Sequence, residues 1–213
     1  MCYLYHFTSS NAILEKITKD IHHGLLEECK EKLILYQAHR IRVANQSLAI
    51  DNILWGLEEN QGYIVMDIKI KFEVMYYREK TTDFYGKKGL SWHGAMVYSR
   101  YTSEQIQAHA KVSDTPLQPH QIFYYDQISS DDSKQDNGAV MSYFEAICIK
   151  IREHFPHINN IFVQTDNARC YKAPELIYAL FIIAHHHSLN IMCYIHTGIQ
   201  DGKGPIDGHM LQL

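Results

Sequence analysis

Residues 59–77 read ENQGYIVMDIKIKFEVMYY, and the fold turns on how that run is understood. Ile64, Met66, Ile68, Ile70, Phe72 and Val74 alternate with Asp67, Lys69, Lys71 and Glu73. Successive side chains of an extended chain point to opposite faces, so period two marks a strand with one apolar and one charged face. Upstream the period is different. Leu26, Cys29, Leu33, Tyr36, Val43, Ile50, Leu54 and Leu57 fall on an alternating three–four spacing, with Arg40 and Ser47 in the same stripe. That is the apolar face of a helix. Residues 11–58 are therefore expected to be helical, with Gly24 separating a shorter helix over Ala12–His23. Packing or self-association is the job such a region would do.

Downstream, DFYGKKG at 83–89 supplies a turn and LSWHGAMVYSRY at 90–101 a second strand. After a polar, proline-containing connection, HQIFYYDQIS at 120–129 supplies a third. Three consecutive strands predict an antiparallel meander. The polar run SSDDSKQDNG at 129–138 then gives way to AVMSYFEAICIKIREHF, with Val140, Tyr143, Phe144, Ile147, Ile151 and Phe155 at helical spacing and Pro156 closing it. A fourth strand, Ile158–Thr165, runs into an acid within the stretch NNIFVQTDNARCY at 159–171. A helix over 172–189, with Pro174 and Glu175 in its first turn, leads to a fifth strand in NIMCYIHTGI. QDGKGPIDGHM then turns and begins a last helix at Pro205. The order β-β-β-α-β-α-β-α predicts a mixed five-stranded α/β sheet, its later strands parallel through right-handed crossovers. The chain divides into an N-terminal helical region over 1–60 and a core over 61–213 whose last helix is read as cut short.

The composition, 46% hydrophobic and 21% charged, is that of a globular domain. No run approaches the roughly 18 apolar residues of a membrane span, and MCYLYHFTSSNAILEK has neither a basic n-region nor a long apolar h-region. A membrane partner is not expected. Five cysteines without a CxxC pair argue for reduced thiols in an intracellular compartment. A net charge of −4 counts against a dedicated DNA-binding module. It leaves open a catalytic core.

Three aspartates occupy special places in this layout: Asp67 within the first strand, Asp166 at the tip of the fourth, and Asp207 in the first turn of the last helix. If the first and fourth strands are neighbours and the last helix leans over their junction, three carboxylates converge. Hard divalent ions prefer such oxygen ligands. Each acid also has a plain structural explanation: Asp67 as a solvent-face acid beside two lysines, Asp166 as a turn-former, Asp207 as a complement to the helix macrodipole. Gly208 directly after Asp207 is a poor helix residue.

The order of elements and the placing of the acids over 62–210 resemble the ribonuclease H-like superfamily, and within it the DDE transposase/integrase branch. MDIKIKF around Asp67, YREKTTDFYGKKGLSWHG at 77–94 and DGKGPID before Asp207 are similar to segments of transposon-derived proteins. The resemblance implies a catalytic triad of Asp67, Asp166 and Asp207 holding two Mg²⁺ or Mn²⁺ ions, with Asp67 bridging both. It implies DNA as substrate, both transposon ends and target, cleaved and joined at phosphodiesters, and a nuclear site of action. Lys69, Lys71, Arg169, Lys172 and Lys203 flank the acids and are candidates for phosphate contact. A homo-oligomer through the N-terminal helix fits the same picture. Two other functions suit the same residues: a non-catalytic, domesticated binding or assembly module, and a hydrolytic nuclease without strand transfer.

Other motifs carry less. DGKG is not a phosphate loop, because GxxxxGK[ST] is absent. His185, His186 and His187 are consecutive, so on a helix they point about 100° apart and one ion cannot easily use all three. With neither CxxC nor HExxH, zinc is not expected.

Overall fold

A computed structural model of the chain describes residues 2–72, 80, 90–113, 115–129, 135–197 and 205–210. It contains two compact units, Met1–Leu48 and Ala49–Leu213. The first is helix alone, the bulk of a continuous α1 spanning Cys2–Trp55. Gly24 does not interrupt it, contrary to the expected break. One glycine costs a helix only about 1 kcal/mol relative to alanine, and no atom approaches within 4 Å of where its Cβ would stand. Among the described residues no helix is long and apolar enough to cross a membrane.

The second unit is built on a sheet of β1 (Gln61–Phe72), β2 (Leu90–Ser99), β3 (Gln121–Ile128), β4 (Asn160–Thr165) and β5 (Asn190–His196). Their spatial order is β3-β2-β1-β4-β5. β1 pairs antiparallel with β2 and β2 with β3; β1 pairs parallel with β4 and β4 with β5. A three-stranded meander extended on one edge by two parallel crossovers is the mixed five-stranded α/β arrangement that the order of elements predicts. The turn expected at 83–89 lies outside the described residues.

The crossovers are α3 (Asn137–His154) and α4 (Pro174–His186). Asp136 caps α3 by accepting from the Ala139 N–H at 3.0 Å, and α4 begins at Pro174 with Glu175 in its first turn. Both helices cover one face of the sheet. Ile64 and Met66 of β1, Ala95 and Val97 of β2, and Ile161 and Val163 of β4 pack there against Val140, Phe144, Ile147 and Ile151 of α3 and Leu176 and Leu180 of α4. This is the apolar side of the period-two pattern at Ile64–Ile68. The opposite face carries a smaller cluster in which Val65, Trp92, Met96 and Tyr98 receive Ile206 of α5 (Pro205–Met210).

One helix was not expected. α2 (Ser103–Ala110) fills the β2–β3 connection and opens with a capping box: the Thr102 side chain accepts from the Gln105 N–H while the Gln105 side chain accepts from the Thr102 N–H.

Candidate active site

β1 and β4 lie side by side and run the same way, with Met66 opposite Thr165. Asp67 follows Met66, and Asp166 is the first residue past the end of β4. The next row therefore sets the two acids beside each other. Alternation from Val65 and Gln164, which pair one row earlier, places both on the face that α5 covers. Both are half-buried.

Three neighbours sense both charges or one of them. Burial first, then Asp67, Cys170 and Asp166, pushes the Tyr171 hydroxyl well above its ordinary range. Burial and then Asp166, with a smaller effect from Asp67, raises the Cys170 thiol. Tyr194 is pushed up to about 12, chiefly by burial and in part by Cys170 and Asp166. Two carboxylates acting on the same thiol and phenol share one neighbourhood, which further negative charge enters only at a cost.

The local turn shapes the site. Asp166 Oδ1 accepts from the Ala168 N–H at 2.9 Å, an Asx-type turn that leads into a 3₁₀ turn over Arg169–Tyr171. The turn-forming role considered for Asp166 is thus present, alongside its position next to Asp67. The turn exposes Arg169 and Lys172. With Gln135 and Asn137 at the start of α3, and with Cys170, they line a cleft of about 450 Å³. It drives Tyr171 fully into the core, where the hydroxyl has no hydrogen-bond partner among the described residues. The Tyr194 hydroxyl donates to the Tyr171 carbonyl at 3.1 Å and fixes the end of the turn.

Asp207 lies in α5, on the face of the sheet that carries Asp67 and Asp166. Its side chain, those of Lys69 and Lys71, and the whole of Lys203 lie outside the described residues. Among the described residues no group of three His, Cys, Asp or Glu side chains could hold a metal ion. The structure thus brings Asp67 and Asp166 together. The donors of this pair still fit a hard divalent ion: both are carboxylates, half-buried at the open end of a rigid parallel pair. The orphaned Tyr171 hydroxyl beside them is a polar atom that an ordered water would satisfy.

Several residues here gave no functional signal in the sequence. Only tertiary contact links Tyr171 and Tyr194 to the acids. Ser91–Trp92–His93 separates by alternation. Trp92 faces α5 and donates through Nε1 to Asp126 at 2.9 Å. His93 is buried on the opposite face, stacked on Tyr143 with ring centroids 4.7 Å apart.

No family model matches the chain, and no curated protein matches it. Two solved structures are similar to part of it. The Thermus thermophilus RuvC structure is 9% identical with a TM-score of 0.31, covering 63% of this chain and 63% of that chain. T. thermophilus RuvC in complex with a Holliday junction substrate is 10% identical with a TM-score of 0.28, covering 63% of this chain and 64% of that chain. The chain thus spans less than two thirds of the length of each. Both of those structures are of RuvC.

Proposed function

We propose that the second unit is a nuclease core that hydrolyses a nucleic-acid phosphodiester with divalent ions held by Asp67 and Asp166. One observation carries this: two carboxylates stand side by side in the row that follows the Met66–Thr165 pair, at the end of the parallel β1–β4 pair and on one face. Strand ends fix a side chain more tightly than loops do, and shared ions require that precision. Asp67 and Asp166 would hold Mg²⁺ or Mn²⁺, with Asp207 as the third acid. Bound there, such ions supply an activated nucleophile and neutralise charge at the phosphate. The chain's own contribution is to orient: the Ala168 N–H holds one oxygen of Asp166, and Arg169 and Lys172 line the adjoining cleft, where a strand's phosphates would be drawn.

The decisive experiment is Asp166→Asn. Nicking of a labelled DNA in Mn²⁺ is expected to fall by at least about a hundredfold, with heat of Mn²⁺ binding lost in calorimetry. Nicking at the wild-type rate would sink the assignment. Joining of the cleaved 3′-end to a second DNA, read on the same gel, would extend the chemistry to that of a transposase. The non-catalytic module is favoured by the use of Asp166 Oδ1 within its own turn. It predicts no Mn²⁺ binding at millimolar concentration in the wild-type chain.

A further inference from the structure

The face of the sheet bearing the two acids holds a third carboxylate, and it has a different job. Asp67 is in register with Gly94, and Gly94 with Asp126. One transverse row therefore runs Asp126, Gly94, Asp67 across β3, β2 and β1, with Asp166 following beyond Asp67. Residues in register share a face. Gly94, buried between Asp126 and Asp67, contributes no side chain to this row.

Asp126 is an exposed residue on the edge strand, yet both its carboxylate oxygens are engaged. Its Oδ1 accepts from Trp92 Nε1 at 2.9 Å and its Oδ2 from His209 Nε2 at 2.8 Å. The His209 and Asp126 side chains are 22% and 28% exposed. The His209 ring also stacks on Tyr124, centroids 4.1 Å apart and planes 17° apart. One turn earlier, Ile206 is buried against Trp92 and Met96. Ile206 and His209 are three residues apart, hence on one side of α5. A helix of six residues does not persist alone in water, so these two anchors determine where α5 sits.

We propose that Asp126 is a positioning residue. By bridging Trp92 and His209 it clasps α5, the element that carries Asp207, onto the row containing Asp67 and Asp166. This rests on the metal-holding role given above to Asp67 and Asp166. Because both its oxygens are engaged, Asp126 acts through α5 and is not itself a ligand.

The test uses the full chain with Asp126→Ala, His209→Ala and the double variant, and Asp166→Asn as a control. Docking of α5 is read without any ion, from hydrogen exchange at residues 205–210 and from the NMR resonance of the Trp92 indole N–H. Site quality is read by calorimetric titration with Mn²⁺ alone. Each single variant is expected to lose protection at 205–210 and to bind Mn²⁺ about tenfold more weakly, in line with the loss of an outer-shell partner. The melting midpoint of the core should stay in place. The double variant should fall short of the sum of the two single effects, because both remove the shared Asp126–His209 contact. Unchanged exchange at 205–210 in both single variants overturns the clasp. Released α5 with unaltered Mn²⁺ affinity overturns the positioning role. If Asp166→Asn also leaves Mn²⁺ binding intact, the fault lies with the acid pair, and the positioning role falls with it.

Discussion

His93 shows how one residue can tie stability to pH without touching the acids. It is fully buried against Tyr143, and among the described residues no group meets the geometry of a hydrogen bond to either ring nitrogen. Burial pushes its imidazole down to about 3, with Gln127, its cross-strand neighbour, opposing that shift weakly. Unfolded, the same ring titrates near about 6.5. Between those values the unfolded chain binds a proton that the folded chain refuses, so stability rises with pH across the window and is lost as pH falls from about 6.5 toward about 3. In His93→Phe, which keeps an aromatic ring on Tyr143, thermal unfolding should depend less on pH over that range. An unaltered slope would mean that other groups account for the acid sensitivity. Asp67 and Asp166 were legible as candidates because a period-two run fixes both the face and the end of a strand. Asp126, Trp92 and His209 were not, since the Asp126–His209 contact joins residues 83 apart in sequence and no local pattern records it.

At the scale of elements, the amphipathic spacing of α3, Pro174 at the head of α4 and the alternation of β1 were sufficient to order the core. Where the reading missed, a local signal was present but outweighed. The polar segment after β2 looked like a loop because α2 buries no residue at all. Its apolar periodicity is therefore faint, yet Thr102 and Gln105 carried the capping box in plain sight. Removing the Thr102 hydroxyl should matter accordingly. Thr102→Ala is expected to cost about 1 kcal/mol, read from urea unfolding and from faster exchange at residues 103–106. The missing break at Gly24 has the converse cause: a glycine weakens a helix, and only a competing turn or partner ends one.

For the molecule as a whole, the acid pair belongs to one unit and a long helix makes up the other. In that helix Leu26, Leu33 and Tyr36 of the apolar stripe are each more than half exposed, as are Leu25, Ile34 and Leu35. Helices in proteins draw most of their stability from burying an apolar face, and a second copy of the same stripe is the partner that a homo-oligomer would supply. Sedimentation equilibrium should then give at least a dimer, and Leu26→Glu combined with Leu33→Glu should give a monomer with the fold of the second unit intact. A monomeric wild-type chain would assign the stripe to some other partner.

The parallel pairing of β1 with β4, which sets Met66 opposite Thr165, has a consequence for the order of events in synthesis. The meander of β1, β2 and β3 can close from neighbouring segments as the chain emerges. Until β4 is made and crosses over, β1 keeps an unpaired edge, open to pairing with another nascent chain. Asp67 is in place through that interval with no acid beside it. A half-made chain is thus most at risk of aggregation through that edge, and closure of one strand pair both removes the risk and completes the acid pair.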